Sequence, residues 1–275
     1  MLQIRHVVLA SPLVFGALVV ACTQSRPVLP APAVPTQPDA APFVDATEAA
    51  PSSTQDLDAG DAGEAEAGFT SACNEQEPQD WLIRTTYFPP TPAKDLDETR
   101  RRVAGHQRSV EYRTRQYGYY PGFGRRDMNP HSPSHYVKSI KWFGLPVMVH
   151  EKIVPALACV EEEIRRTCAD KPYTPRALGG IRMKNTYHTG EVTNHAYGIA
   201  MDIDPAINTC CGCVPPWNKH PRCGKKVVSP FERMEMPECW VHAFTRYGFY
   251  WLGYDPMQDT MHYEFLGDPD RIVRR

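Results

Sequence analysis

The sequence predicts an α+β fold, a small antiparallel sheet with flanking helices, preceded by a disordered tether. Three observations carry that expectation. Residues 198–204 and 261–266 alternate sides as short strands do: Ile199, Met201 and Ile203 oppose Ala200, Asp202 and Asp204 in the first, and Met261, Tyr263 and Phe265 oppose His262, Glu264 and Leu266 in the second. Helical segments precede and separate them in an order that suits α+β rather than regular strand–helix alternation. Residues 23–72 are rich in Pro, Ala, Ser and acid and bury no core.

Taken in order, the chain opens with "MLQIRHVVLASPLVFGALVVAC", residues 1–22, a weakly basic end (Arg5, His6) followed by an apolar run to Val20 and a small residue before cysteine. It reads as a secretory signal. The ending "LVVAC" resembles a bacterial lipobox, which makes Cys22 the lipidated first residue of the mature protein; the alternative is a plain signal peptide with an incidental cysteine. The apolar run is shorter than the ~20 residues a spanning helix needs. The tether, 23–72, holds eight acidic residues against the single Arg26 and is extended by proline and self-repulsion. With the whole chain at −2, Arg5 contributing +1 and the tether −7, residues 73–275 carry about +4. So small a charge, on an exported chain, argues against nucleic acid, while a mildly basic domain on an acidic stalk suits an anionic polymer such as cell wall, a balance also common among proteins with no such partner.

Residues 73–130 form an N-terminal extension of the folded part, in which 97–117 read as a polar, basic helix with a solvated charged face, followed by a Gly/Tyr/Pro-rich loop. Residues 149–169 read as a core helix, since Ile153, Leu157, Val160 and Ile164 recur at helical spacing. Residues 229–248 read as a third helix, capped by Ser229 with Pro230 at its first position and closed by Gly248. His242 lies within it. Of nine cysteines, eight remain after Cys22. In an oxidising compartment that even number predicts up to four disulfides of unassigned pairing; the rival reading of 210–223 is a zinc knuckle of Cys210, Cys213, Cys223 and His220.

The chemistry concentrates in "TNHAYGIAMDID", residues 193–204. Gly198 permits a tight bend that folds His195 back over the strand until its imidazole lies beside Asp202. Nitrogen and oxygen then converge as in a catalytic zinc site, where three protein ligands leave a fourth position open. His262, in the last strand, supplies the third ligand, and Asp259, three positions before it, a base for water. Asp204 is the runner-up ligand, expected instead to bond backbone groups.

At these residues the chain resembles a known family. "HAYGIAMD" fits H-x-x-G-x-A-x-D and "DTMHYE" fits D-x-x-H-[FY]-E, the patterns of the zinc D-alanyl-D-alanine carboxypeptidases and L-alanyl-D-glutamate endopeptidases, the lysostaphin- and hedgehog-like metallopeptidases. The resemblance covers roughly residues 137–265 and implies a hedgehog/D-Ala-D-Ala-peptidase-like fold for 131–275. It further implies Zn2+ held by His195, Asp202 and His262, Asp259 as general base, and Arg182, in "GGIR", as a group that steadies the oxyanion or the substrate carboxylate. Met183 follows that arginine where the family often has Ser or Thr, and residues 210–223 form a longer connection than usual. The expected protein is a lipid-anchored peptidase of the bacterial cell envelope acting on peptidoglycan stem peptides, L-alanyl-D-glutamate cleavage being favoured over D-alanyl-D-alanine trimming because the base is aspartate. A non-catalytic zinc-containing wall-binding module and an envelope interaction protein are the alternatives.

Overall fold

The computed structural model of the protein describes residues 72–185 and 190–273. The expected signal, Cys22 and nearly all of the tether lie outside the described residues. No helix among the described residues is long and apolar enough to cross a membrane.

The sheet forms as the alternation predicted. Strands β1 (Val137–Trp142) and β2 (Leu145–His150) make an antiparallel hairpin. Its two-residue turn, Phe143 and Gly144, has positive φ at both positions, the geometry that matches the right-handed twist of paired strands. Strands β3 (Leu178–Gly179), β4 (Ala200–Ile203), β5 (Phe249–Trp251) and β6 (His262–Phe265) form a four-stranded antiparallel sheet in the order β3-β4-β6-β5. In β4 and β6 every residue is buried, so the carboxylate-bearing side of β4 is covered.

Helix α1 (Leu96–Tyr117) starts at Asp95, whose side chain accepts from Glu98 N at 2.7 Å. Its first half is exposed, but the expected solvated face fails in the second half. Val110, Arg113, Thr114 and Tyr117 recur at helical spacing and are all buried. Helix α2 (Val154–Thr167) buries Leu157, Val160 and Ile164, and Ile153 just before it, as its periodicity requires.

The third predicted helix is divided. Ser229 and Glu232 form the anticipated capping box, yet the turn they open, Pro230–Arg233, is one short 3-10 turn, and α3 proper is Glu238–Arg246. Pro237 causes the break, because a proline pushes the residue before it out of the helical region. Gly248 does follow the end of α3, with φ +85°.

All eight cysteines outside the leader are paired: Cys73 with Cys159, Cys168 with Cys239, Cys210 with Cys213, and Cys211 with Cys223. That overturns the zinc-knuckle reading, since the sulfurs are spent on each other. The first bridge fixes the extension to α2, and the second joins the end of α2 to α3. Trp142, Trp240, Phe244 and Tyr263 fill the core, the last two rings stacked at 3.9 Å.

Candidate metal centre

Antiparallel pairing sets Asp202 of β4 directly opposite His262 of β6. Directly opposite side chains on one face are within reach of each other, so two residues sixty positions apart meet, His262 Nδ1 lying 2.8 Å from Asp202 Oδ1. The third member arrives through a turn. Thr193 caps the short 3-10 segment Asn194–Tyr197, and Gly198 ends it with φ +70°. A side chain at Gly198 would be strained there and would also crowd His150 N, 3.0 Å from an added Cβ. The reversal carries His195 back over β4, and its Nε2 stands 3.2 Å from Asp202 Oδ1 and 3.1 Å from His262 Nδ1. All three side chains are buried.

Each imidazole is oriented from behind. His195 Nδ1 lies 2.6 Å from the carbonyl oxygen of Gly180, which makes it the donor nitrogen and turns the Nε2 lone pair toward Asp202. Gly180 can approach because it has no side chain; an added Cβ would lie 2.0 Å from Met148 O. His262 Nε2 lies 3.1 Å from Glu264 Oε1. Glu264 was missed as a site residue, although its place two positions after His262 on the same face was readable from the alternation.

This arrangement fits a cation. Burial lowers the pKa of His195 despite Asp202, so it is neutral, and its one proton is committed to Gly180. Its lone pair therefore points at Asp202, a carboxylate that the protonated His262 keeps ionised against the effect of burial. Two acceptors facing each other at 3.2 Å repel unless a positive charge is shared between them. Two imidazole nitrogens and one carboxylate oxygen match the donor set of catalytic zinc. Burial opposes a charge on His262, but Asp202 and Glu264 outweigh it and raise its pKa to about 10, so in the metal-free protein a proton takes that role.

Asp259 lies beside the triad, buried, with Oδ1 unpartnered and its pKa pushed up to about 7 chiefly by burial. Cys213 Sγ is 3.9 Å from its other oxygen, but a disulfide sulfur has no proton to donate. The structure sets Arg182 over the centre from the solvent side, its side chain 42% exposed and its guanidinium on Asp202 Oδ2. Asp204 is turned away from the triad at φ +46° and accepts from the backbone N–H groups of Arg176 and Ala177, both at 2.7 Å. His242 is exposed and 3.4 Å from Glu238, with no part in the centre.

Residues 187–265 match a family model described as D-alanyl-D-alanine carboxypeptidase. That segment contains His195, Asp202, Asp259 and His262, and leaves out Arg182 and α1. The match supports a peptidase. No curated protein and no solved structure matches the chain.

Proposed function

We propose that the chain is a zinc-dependent peptidase of the bacterial cell envelope, anchored through a lipid at Cys22, that hydrolyses peptidoglycan stem peptides between L-alanine and D-glutamate. The observation that carries the reading is the convergence of His195 Nε2, Asp202 Oδ1 and His262 Nδ1 beside Asp259, whose Oδ1 is unpartnered. Four disulfides among the described residues suit an exported protein.

Zinc, when bound by His195, Asp202 and His262, supplies the Lewis acidity that makes water a nucleophile at neutral pH. Asp259 is the base for that water. Its Oδ1 has no competing donor, and a pKa raised toward neutrality lets it accept a proton and return it to the departing amine. Arg182 faces the entrance with a guanidinium that offers five donors, of which Asp202 takes only part, leaving others for the negative charge on the scissile carbonyl oxygen. Glu264 and Gly180 hold the two imidazoles in the tautomers that ligation requires.

The second reading, trimming of terminal D-alanine, is favoured by the description of the matching family. Against it stands the aspartate at 259, whose shorter reach positions water and substrate differently from a glutamate. A non-catalytic wall-binding module gains nothing from a buried carboxylate with one oxygen unpartnered, which only costs folding free energy. Digestion of purified muropeptides, with mass spectrometry of the products, tests the assignment: cleavage between L-alanine and D-glutamate is expected. Free D-alanine as the sole product from a pentapeptide would replace it by the second reading, and no product with zinc bound would remove both.

A further inference from the structure

Behind the metal centre a buried chain of polar groups runs into the N-terminal extension. Glu264, the partner of His262, is 2% exposed and lines one small buried space with Asn194 and Arg113. Asn194 Oδ1 accepts from Arg113 Nε at 2.7 Å. Arg113 projects from α1, outside the segment that matches the family, and is 3% exposed. Its remaining contacts, Leu82 O at 3.1 Å and Tyr87 OH at 3.4 Å, hold the guanidinium in place.

Burying an arginine and a glutamate is expensive, and a packed apolar pair of similar volume is often as stable or more so. The arrangement is better explained by what it immobilises. Asn194 is the residue before His195 and lies in the same short turn, while Glu264 is two positions from His262 on β6. One amide, clamped by Arg113, therefore braces the turn that bears the first ligand, and the guanidinium lines the same buried space as the carboxylate that orients the last. Without the brace the turn is free to shift, and with it the His195 imidazole that the Gly180 carbonyl orients.

We propose that Arg113 is a positioning residue for the metal centre, acting on His195 through Asn194 and the turn the two share, and on Glu264, the partner of His262, through the buried space it lines with that carboxylate. The inference rests on the assignment of His195, Asp202 and His262 as zinc ligands. Partners of this kind are worth roughly 10–100-fold in metal affinity.

The test is zinc affinity of the purified full chain, measured by competition with a chromophoric chelator, for the parent, Arg113→Gln, Asn194→Ala and the double variant. Thermal unfolding of each metal-free protein and the visible spectrum of each cobalt-substituted form accompany it. Expected are roughly tenfold or greater weakening in each single variant, a shifted cobalt spectrum, and a double variant no weaker than the worse single, since both changes break one chain. A purely structural arginine would lower the melting temperature and leave the affinity and cobalt spectrum of the folded protein unchanged, which overturns the inference. Should Arg113→Gln fail to fold, Asn194→Ala decides by the same two readouts. A parent that binds no zinc refutes the ligand assignment itself, a different result from a parent that binds and variants that bind equally well.

Discussion

Replacing Asp259 with asparagine should make the protein a far slower catalyst and, without metal, a more stable fold. Burial is the main reason the carboxyl is raised to about 7; His262 and Arg182 pull the other way and Asp202 adds to the rise. An unfolded aspartate titrates near 3.9, and the gap from there to about 7 is worth about 4 kcal/mol. The folded-state value is the higher one, so the carboxyl's contribution is fully present below about pH 4 and is lost as pH rises through about 7. Asparagine has nearly the same shape and never ionises. Its advantage over the parent should be near zero at pH 4 and reach about 4 kcal/mol by pH 8. Urea denaturation of both metal-free proteins at the two pH values measures that difference. Turnover on muropeptides should fall by roughly 10²–10⁴, the usual worth of a positioned base, with zinc stoichiometry unchanged. The parent's rate should rise with pH along an acid limb at or below about 7, because a cation nearby favours the ionised carboxylate. A variant that is less stable than the parent at pH 8, or that turns over as fast, would remove Asp259 from the mechanism.

Three further outcomes are expected. His262→Ala should lose one equivalent of zinc by metal analysis; retention at unchanged affinity would show the ligand assignment to be wrong. Zinc binding at pH 8 should expel at least one proton, because burial opposes the charge on His262 but Asp202 and Glu264 hold it protonated to about 10 in the metal-free protein, and it must give up that proton to ligate. Calorimetry in buffers of different ionisation enthalpy counts it, and a count of zero would contradict the charge assigned to His262. Replacing both Cys73 and Cys159 by serine opens a loop spanning 86 positions and should cost up to about 4.6 kcal/mol on the chain-entropy relation, read from the denaturant midpoint. A loss under about 1 kcal/mol would mean the extension is held by its packing alone.

The parts of the centre that were legible in the sequence share one property: each is set by neighbours within a few positions. Strand alternation put Asp202 and His262 on facing sides, and the glycine between His195 and Asp202 announced the bend that brings them together. The caps of the third helix were legible for the same reason, and Ser229 and Gly248 both act where expected. That helix is shorter than its caps alone imply, because Pro237 interrupts it between them. Gly180 carries its function on a backbone carbonyl, which no residue-type pattern records, although a glycine pair before an arginine hints at close approach.

Arg113 was illegible for a different reason. In "SVEYRTRQY" its charge looks like that of Arg115, which is exposed, and only the partners distinguish them: Asn194, 81 positions away, and the Leu82 carbonyl. A polar residue on the inner face of a helix breaks the apolar stripe that marks burial, so composition assigned the whole run to solvent. The same holds for the extension around it. Gln79 donates to the carbonyls of Leu266 and Gly267, and Arg84 is paired with Glu191 and Asp255. These bonds join residues before 130 to the segment that carries the candidate ligands, and residues 72–130 fall in one compact unit with the rest of the described chain. The resemblance ends near residue 137 because its motifs record ligands and base, whereas the groups that hold them still are drawn from wherever the chain packs against their rear. A fragment cut at residue 131 would keep every ligand and lose both Arg113 and the disulfide to Cys159, so its weakness should show in how it holds metal as well as in how it folds.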